Sequence, residues 1–469
     1  MNRIIKYSCF LFAMLTMVSC KKFLDVNNNP NSPTKPPLNG LLARVTETTA
    51  LNVYRAGDNV TNYVQYIASS NTASPYDIYE PVDASSLWTN LYDNMTDLYD
   101  MDKLAEESGA THHQGVSRIL MSVNLKIVHD LFGAAPYTEA FTNNTLTPKF
   151  DDAQSLYQKC ISLLDEGIGL LQQANPNVEL DADLDFIHGG DAAQWIKTAY
   201  ALKARLLNQI SKRPEYNADN ILAALGSAYT STADDAYITT FDVRNPWAQQ
   251  ALNNVNLLLA GWLSEHFVNT MNGTIYGIFD PRLPLITHPT KYGDYRGTRN
   301  GKGRIGSGVN GEETYLSVDG YYSSTNSPLF IITYEECKFI EAEAKLRKND
   351  KPGAYAAYQE GIKANMDKLG VATAARDAYI NHASVSVGSA DITIDLIMKE
   401  KYKAMFLHPE TWNDARRYDY KYQSFQLPLN VVTNTFIRRF VYPDVEKSRN
   451  GANVPGEVTD VTQKMWWDQ

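Results

Sequence analysis

Apolar residues three or four apart mark the most regular segments of the chain. Ala153, Leu156, Cys160, Leu164, Ile168 and Leu171 share one helical face behind Asp151 and Asp152, which suit an N-cap and a first turn. Asp191 caps a second such face, built from Ala192, Trp195, Ala199, Leu202 and Leu206. A third helix starts at Thr333, with Glu336 spaced for a capping box, and runs through Cys337, Ile340 and Ala344. Its partner follows Asp350-Lys351-Pro352-Gly353 and runs to about Leu369, where Gly370 is placed to stop it. Antiparallel helix pairs follow from this pattern. The unit from Tyr334 to Leu369 is 36 residues long, near the roughly 34 of a tetratricopeptide repeat, and the helices from Asp152 and Asp191 read as a stretched, degenerate second pair.

Elsewhere the period is interrupted. From Leu38 to about Ser108 it is helical in pieces, broken between Ser69 and Ser86 by a loop containing Ser74-Pro75-Tyr76-Asp77 and Glu80-Pro81; the second piece repeats Leu91, Met95, Leu98 and Asp102. Between Tyr229 and Pro328 a helical pattern holds only near Ala248 to Phe267. The remainder is rich in Gly, Pro, Asn and aromatic residues, and long loops of that kind often carry function.

The first twenty residues differ from everything after them. Arg3 and Lys6 precede an apolar run from Cys9, and the segment closes on Met17-Val18-Ser19-Cys20. The run is too short to span a bilayer, which needs about 20 apolar residues, but it fits a secretory signal without an A-x-A cleavage site. Small residues directly before a cysteine resemble a bacterial lipobox, which makes Cys20 the lipidated first residue of the mature chain. Residues 1–19 are then a lipoprotein signal peptide, 20–37 the lipidated cysteine and an extended tether rich in Asn and Pro, and 38–469 a single α-helical domain. Several acyl chains at about 0.8 kcal/mol per buried CH₂ hold such a protein on a membrane.

Composition narrows the function further. The hydrophobic share of 44% over 469 residues supports a sizeable core. A net charge of −10 argues against a nucleic-acid binder. With Cys9 removed and Cys20 lipidated, only Cys160 and Cys337 remain, both among apolar neighbours. They read as buried thiols, with one long-range bridge left open.

Motifs for catalysis or metals fail on context. Gly301-Lys302-Gly303-Arg304-Ile305-Gly306 spells G-x-G-x-x-G, but no strand precedes it, no helix follows it, and six glycines lie between Gly297 and Gly311. It reads as a flexible basic loop. Asp181-Ala182-Asp183-Leu184-Asp185 starts like a calcium loop, yet Phe186 stands where Gly is needed; a loop leading into a helix fits better, with a nonstandard calcium site as the alternative. No H-E-x-x-H or G-x-S-x-G is present, and His112-His113 reads as a solvated pair. Doublets such as Asp151-Asp152 and Glu335-Glu336 sit about 100° apart around a helix and do not face one another as an acid and a nucleophile must.

Four segments in order resemble one family. They are His129-Asp130-Leu131-Phe132-Gly133-Ala134-Ala135-Pro136-Tyr137; Asp185-Phe186-Ile187-His188-Gly189-Gly190-Asp191 with Trp195 and Leu202-Lys203-Ala204-Arg205; Glu341-Ala342-Glu343-Ala344; and Trp412-Asn413-Asp414-Ala415-Arg416-Arg417. With the lipobox, the Asn-Pro-Asn after it and Arg438-Arg439-Phe440-Val441-Tyr442-Pro443, the chain resembles the SusD/RagB outer-membrane lipoproteins of Bacteroidetes. The resemblance implies a mainly α fold of tetratricopeptide-like helix pairs with long irregular loops carrying the ligand face. It also implies surface display and a lid role over a SusC-like TonB-dependent β-barrel transporter. In that family these motifs are structural, so Trp195, Arg205, Arg416 and Arg417 are expected in packing and ion pairs.

The ligand implied is a nutrient, foremost an oligosaccharide. A pyranose has an apolar face and a polar rim, which Tyr and Trp match when Asp, Asn or Arg stand beside them. The 29 tyrosines outnumber Phe and Trp together, and those between Tyr292 and Tyr322 lie outside any helical period. Candidate ligand residues are Tyr76, Asp77, Tyr79 and Trp88 on the early side, and Tyr292, Tyr295, Arg296, Tyr321 and Tyr322 on the late side. No catalytic residue, cofactor or metal is expected. A peptide-binding relative of the same family and an anchored glycoside hydrolase are the alternative readings.

Overall fold

Caps and apolar faces set the helices where the pattern puts them. A computed structural model describes residues 37–142, 144–256, 259–456, 458 and 460–469; the signal segment, Cys20 and the tether up to residue 36 lie outside these. The chain opens with α1 (Leu38–Val60), β1 (Ile67–Ala68) and a short turn α2 (Pro75–Ile78), then α3 (Ser85–Ser108) and α4 (Thr111–Phe132). Next come α5 (Ala153–Leu171), α6 (Ala192–Gln209) and α7 (Ala218–Leu225). Asp152 caps α5 by accepting from the Ser155 backbone N–H, and Asp191 caps α6 by accepting from Ala193 and Gln194. Each helix of the run from α3 to α7 packs on its neighbour.

The array resumes after a long excursion. Residues 226–333 carry β2 (Ala236–Ile238), α8 (Pro246–Val255), β3 (Trp262–Leu263), α9 (Glu265–Met271), α10 (Leu283–Ile286) and β4 (Leu329–Ile332). Then α11 (Tyr334–Arg347) packs on α6 and α7 and on its partner α12 (Lys351–Leu369), which Gly370 terminates. The chain closes with α13 (Thr373–Ile380), α14 (Ile394–Ala404), α15 (Glu410–Arg417) and α16 (Asp444–Asn450). Two short antiparallel ladders order the excursion: β3 pairs with β1 from the start of the chain, and β2 pairs with β4 within the excursion itself. The fold is mainly α, as the pattern requires.

Three sequence expectations need correction. The pattern from Ala248 to Phe267 is not one helix: Leu259 and Gly261 take positive φ, and Trp262-Leu263 extend to pair with β1. Thr333 caps α11 through the Glu336 backbone N–H, but no capping box closes, because the Glu336 carboxylate is taken by Arg205. His113 is buried and hydrogen-bonded to Asn39, and burial lowers its pKa to about 4. It faces inward because α4 is buried on nearly every side, polar positions included, so no one-sided apolar stripe marks the exposed face.

The family-motif residues do structural work. Arg205 makes a bidentate pair with Glu336 at 2.6 and 2.7 Å, and Arg417 holds Glu343 and Asp414 at 2.6 to 3.0 Å. Arg416 lies 3.6 Å from the Trp412 ring centroid and donates to the carbonyls of Asp130 and Arg438. Trp195 donates its indole N–H to Asp185. Asp185 also accepts from three backbone N–H groups of the turn into α6. Cys160 and Cys337 are buried free thiols.

Candidate functional site: a groove beside helix α9

The excursion reaches the surface around α9. Ser264 caps this helix by accepting from His266 N–H, and its hydroxyl donates to Asn300 at 2.7 Å. The 290–305 loop closes against the helix start, which requires Gly297: a Cβ there would come within 2.4 Å of the Ser264 carbonyl oxygen. Gly301 is equally constrained, at φ +81° with a Cβ position 1.8 Å from the Leu429 carbonyl oxygen. Such approaches admit only glycine.

One pocket of about 600 Å³ opens beside α9, lined by Glu265, Asn269, Asn272, Phe279, Tyr295 and Arg296 among others. The Phe279 and Tyr295 rings stand 5.7 Å apart, tilted by 51°. Phe279 is 44% exposed, so part of its ring is open to solvent. Asp294 binds Arg296 and Thr290, and both hydrogen bonds hold its carboxyl below the usual range. Tyr292, 56% exposed, lies under the Arg296 guanidinium at 4.6 Å.

A second pocket of about 310 Å³ adjoins the first and shares Glu265 and Asn269 with it. Its other walls include Gln65, His266, Arg299, Ser424 and Gln426. Burial lowers the His266 pKa to about 4, so the ring is neutral at ordinary pH. A separate groove of about 620 Å³ lies against α3 and α5, with Tyr99, Tyr137, Phe141 and Lys159 in its lining.

The structure divides the predicted ligand residues. Tyr295 and Arg296 line the first pocket, and Tyr292 lies outside that lining, under Arg296. Tyr321 is half-buried and packs edge-on against Tyr322 at 5.1 Å. Tyr322 itself is only 7% exposed and packs on Phe406; it lines a separate narrow space of about 40 Å³ with Trp247, Leu329 and Leu407, away from α9. On the early side Tyr79 and Trp88 are buried in the core, and Tyr76 is half-buried with its hydroxyl on Asn59. Asp77 is fully buried and accepts four hydrogen bonds, from Asn62, Ser69 N–H, Asn300 and Gly301 N–H. It fastens the α2 turn to the floor of the second pocket. The early and late groups therefore do not form one aromatic surface.

Sequence reasoning missed Glu265, Asn269, Asn272, Phe279 and Arg299. The signal for the first three was present: they follow an i, i+4, i+7 spacing behind the N-cap Ser264. Running a helix through Gly261 hid it.

A repeat-helix scaffold presenting a groove with aromatic rings and amides, with its carboxylates left open or paired, defines a binding protein of the helical-pair class. Residues 30–443 match the SusD-like family described as starch-binding and associating with the outer membrane, and the chain belongs to that family. Its fold is shared with a SusD/RagB family protein from Bacteroides thetaiotaomicron at TM-score 0.78 and 21% identity, covering 92% of this chain and 99% of that one. A chitin-binding SusD homologue from Flavobacterium johnsoniae superposes at TM-score 0.77 and 20% identity, over 92% and 98% of the two chains. A SusD homologue from Bacteroides fragilis gives 0.76 and 19%, over 93% and 100%. A comparison with curated protein sequences found no match. Among the described residues no helix is long and apolar enough to cross a membrane.

Proposed function

We propose that this protein is a surface-exposed, lipid-anchored binding protein that captures a nutrient oligosaccharide and delivers it to a SusC-like TonB-dependent outer-membrane transporter. The observation that carries the reading is the pocket beside α9, where Phe279 and Tyr295 offer rings and the Asn269 amide and the Asp294–Arg296 pair offer polar groups around them, while the Asn272 amide is spent on Asn269 and on the Tyr295 and Thr274 backbone. A sugar ring needs that combination of an apolar platform and a polar rim. Starch binding in the family description and chitin binding in a structural relative point the same way.

Binding without catalysis is the reading favoured over hydrolysis. A glycosidase needs two carboxyls free to face the scissile bond, whereas of the two that line the first pocket Asp294 is already bound to Thr290 and Arg296. The anchor is Cys20, by the lipobox argument. Calorimetric titration of the detergent-solubilised protein with maltohexaose and chitohexaose tests the ligand class, and copurification of a large β-barrel from gently extracted membranes tests the partner. A monodisperse lone chain from native membranes that binds neither sugar counts against the proposal.

A further inference from the structure

The two pockets beside α9 are one groove, because Glu265 and Asn269 wall both. Glu265, Asn269 and Asn272 lie along one helical face, so this wall is continuous for about 10 Å at 1.5 Å per residue. Its two ends differ in chemistry. Phe279 and Tyr295 stand at one end, while Arg299, Ser424 and Gln426 stand at the other.

Two charged side chains along the groove are open. Glu265 and Arg299 are exposed, and neither has an ion-pair partner among the described residues, although both face the smaller pocket. The other two charges that line the pockets are paired with each other, Arg296 with Asp294. A carboxylate only accepts hydrogen bonds and a guanidinium only donates them, whereas a hydroxyl does both. An uncharged chain of hydroxyl-bearing rings therefore suits both groups, while a polyanion is repelled by Glu265 and a polycation by Arg299.

Resting on the oligosaccharide reading above, we infer that the groove selects an uncharged oligosaccharide by its length, seating one ring on Phe279 and Tyr295 and further units along Glu265, Asn269 and Arg299. Units beyond the ring seated on Phe279 and Tyr295 run along the wall towards the guanidinium, and a longer chain makes more of these contacts than a disaccharide does.

The test is calorimetric titration of the intact protein in detergent with maltose, maltohexaose, chitobiose, chitohexaose and hexagalacturonate. In at least one neutral series the hexamer is expected to bind about tenfold or more tighter than the dimer, a gap of about 1.4 kcal/mol. Arg299→Ala is expected to shrink that ratio to about threefold or less, whereas Tyr295→Ala weakens both lengths and preserves it. Equal affinity for dimer and hexamer overturns the inference, as does an Arg299→Ala variant with an unchanged ratio. Tighter binding of hexagalacturonate than of either neutral hexamer overturns it as well. If the folded wild-type protein binds none of the five, the oligosaccharide reading itself falls, and this inference with it.

Discussion

Replacing Asp77 by Asn separates a fastening residue from a ligand contact. Oδ1 accepts from the Asn62 and Asn300 amides at 2.8 and 2.7 Å, and Oδ2 from the Ser69 and Gly301 backbone N–H groups at 2.9 and 3.0 Å. Each oxygen thus faces two donors. An asparagine amide, whichever way it turns, sets its NH₂ against one of these pairs and leaves two buried donors without an acceptor. Hydrogen bonds to a charged group contribute about 1.5–3 kcal/mol each, so the loss should be about 3–6 kcal/mol. Domains of 150–250 residues shift by about 2–4 °C per kcal/mol, and a chain nearly twice that length by about half as much. Differential scanning calorimetry should therefore show the midpoint of Asp77→Asn lowered by about 3–12 °C. A shift of less than about 1 °C would refute the reasoning, since so small a change means that the four bonds are replaced at no cost.

Tyr322→Ala should behave as a core truncation, costing about 3–5 kcal/mol of stability with sugar affinity of the remaining folded protein unchanged; Tyr295→Ala should do the opposite, and a reversed pattern in paired melting and titration experiments refutes both assignments. Burial works against ionisation of Glu336, but Arg205 overcomes it and holds the carboxyl at about 2, below its ordinary value of about 4.3. The stabilisation from this pair is therefore present above that ordinary value and is lost as pH falls from about 5 towards 2. Glu336→Gln should destabilise by about 3 kcal/mol at neutral pH and flatten the acid limb of a stability–pH profile, because it leaves Arg205 buried without its anion; an unchanged acid limb contradicts this. Cys20→Ser should leave the chain uncleaved or soluble in the periplasm, and finding the variant processed and displayed on the outer surface refutes the anchor.

The scaffold was legible because it rests on local rules. Asp152, Asp191, Thr333 and Gly370 stop or start helices by hydrogen bonds within a few residues, and those positions carry their own signal. Partner choice was not legible in the same way: the capping box at Thr333 fails because Arg205, 131 residues away, claims Glu336. The site was harder still. Tyr292, Tyr295, Tyr321 and Tyr322 look alike in sequence, yet Tyr322 turns inward to Phe406 and Tyr292 outward beneath Arg296. Each ring is placed by its own contact, one with a residue 84 positions away and one with a neighbour four residues on, and no periodicity records either. Asp77 looked like a sugar ligand for the same reason that it is a good fastener, since a carboxylate among loops accepts from whatever donors reach it.

The most direct test of the account is a crystal structure of the protein with a bound oligosaccharide. The account predicts a sugar ring against Tyr295 and Phe279, with the following units along Glu265 and Asn269. A sugar seated instead against Tyr99, Tyr137 and Phe141 on the helical-repeat side, with the groove beside α9 holding none, would contradict it.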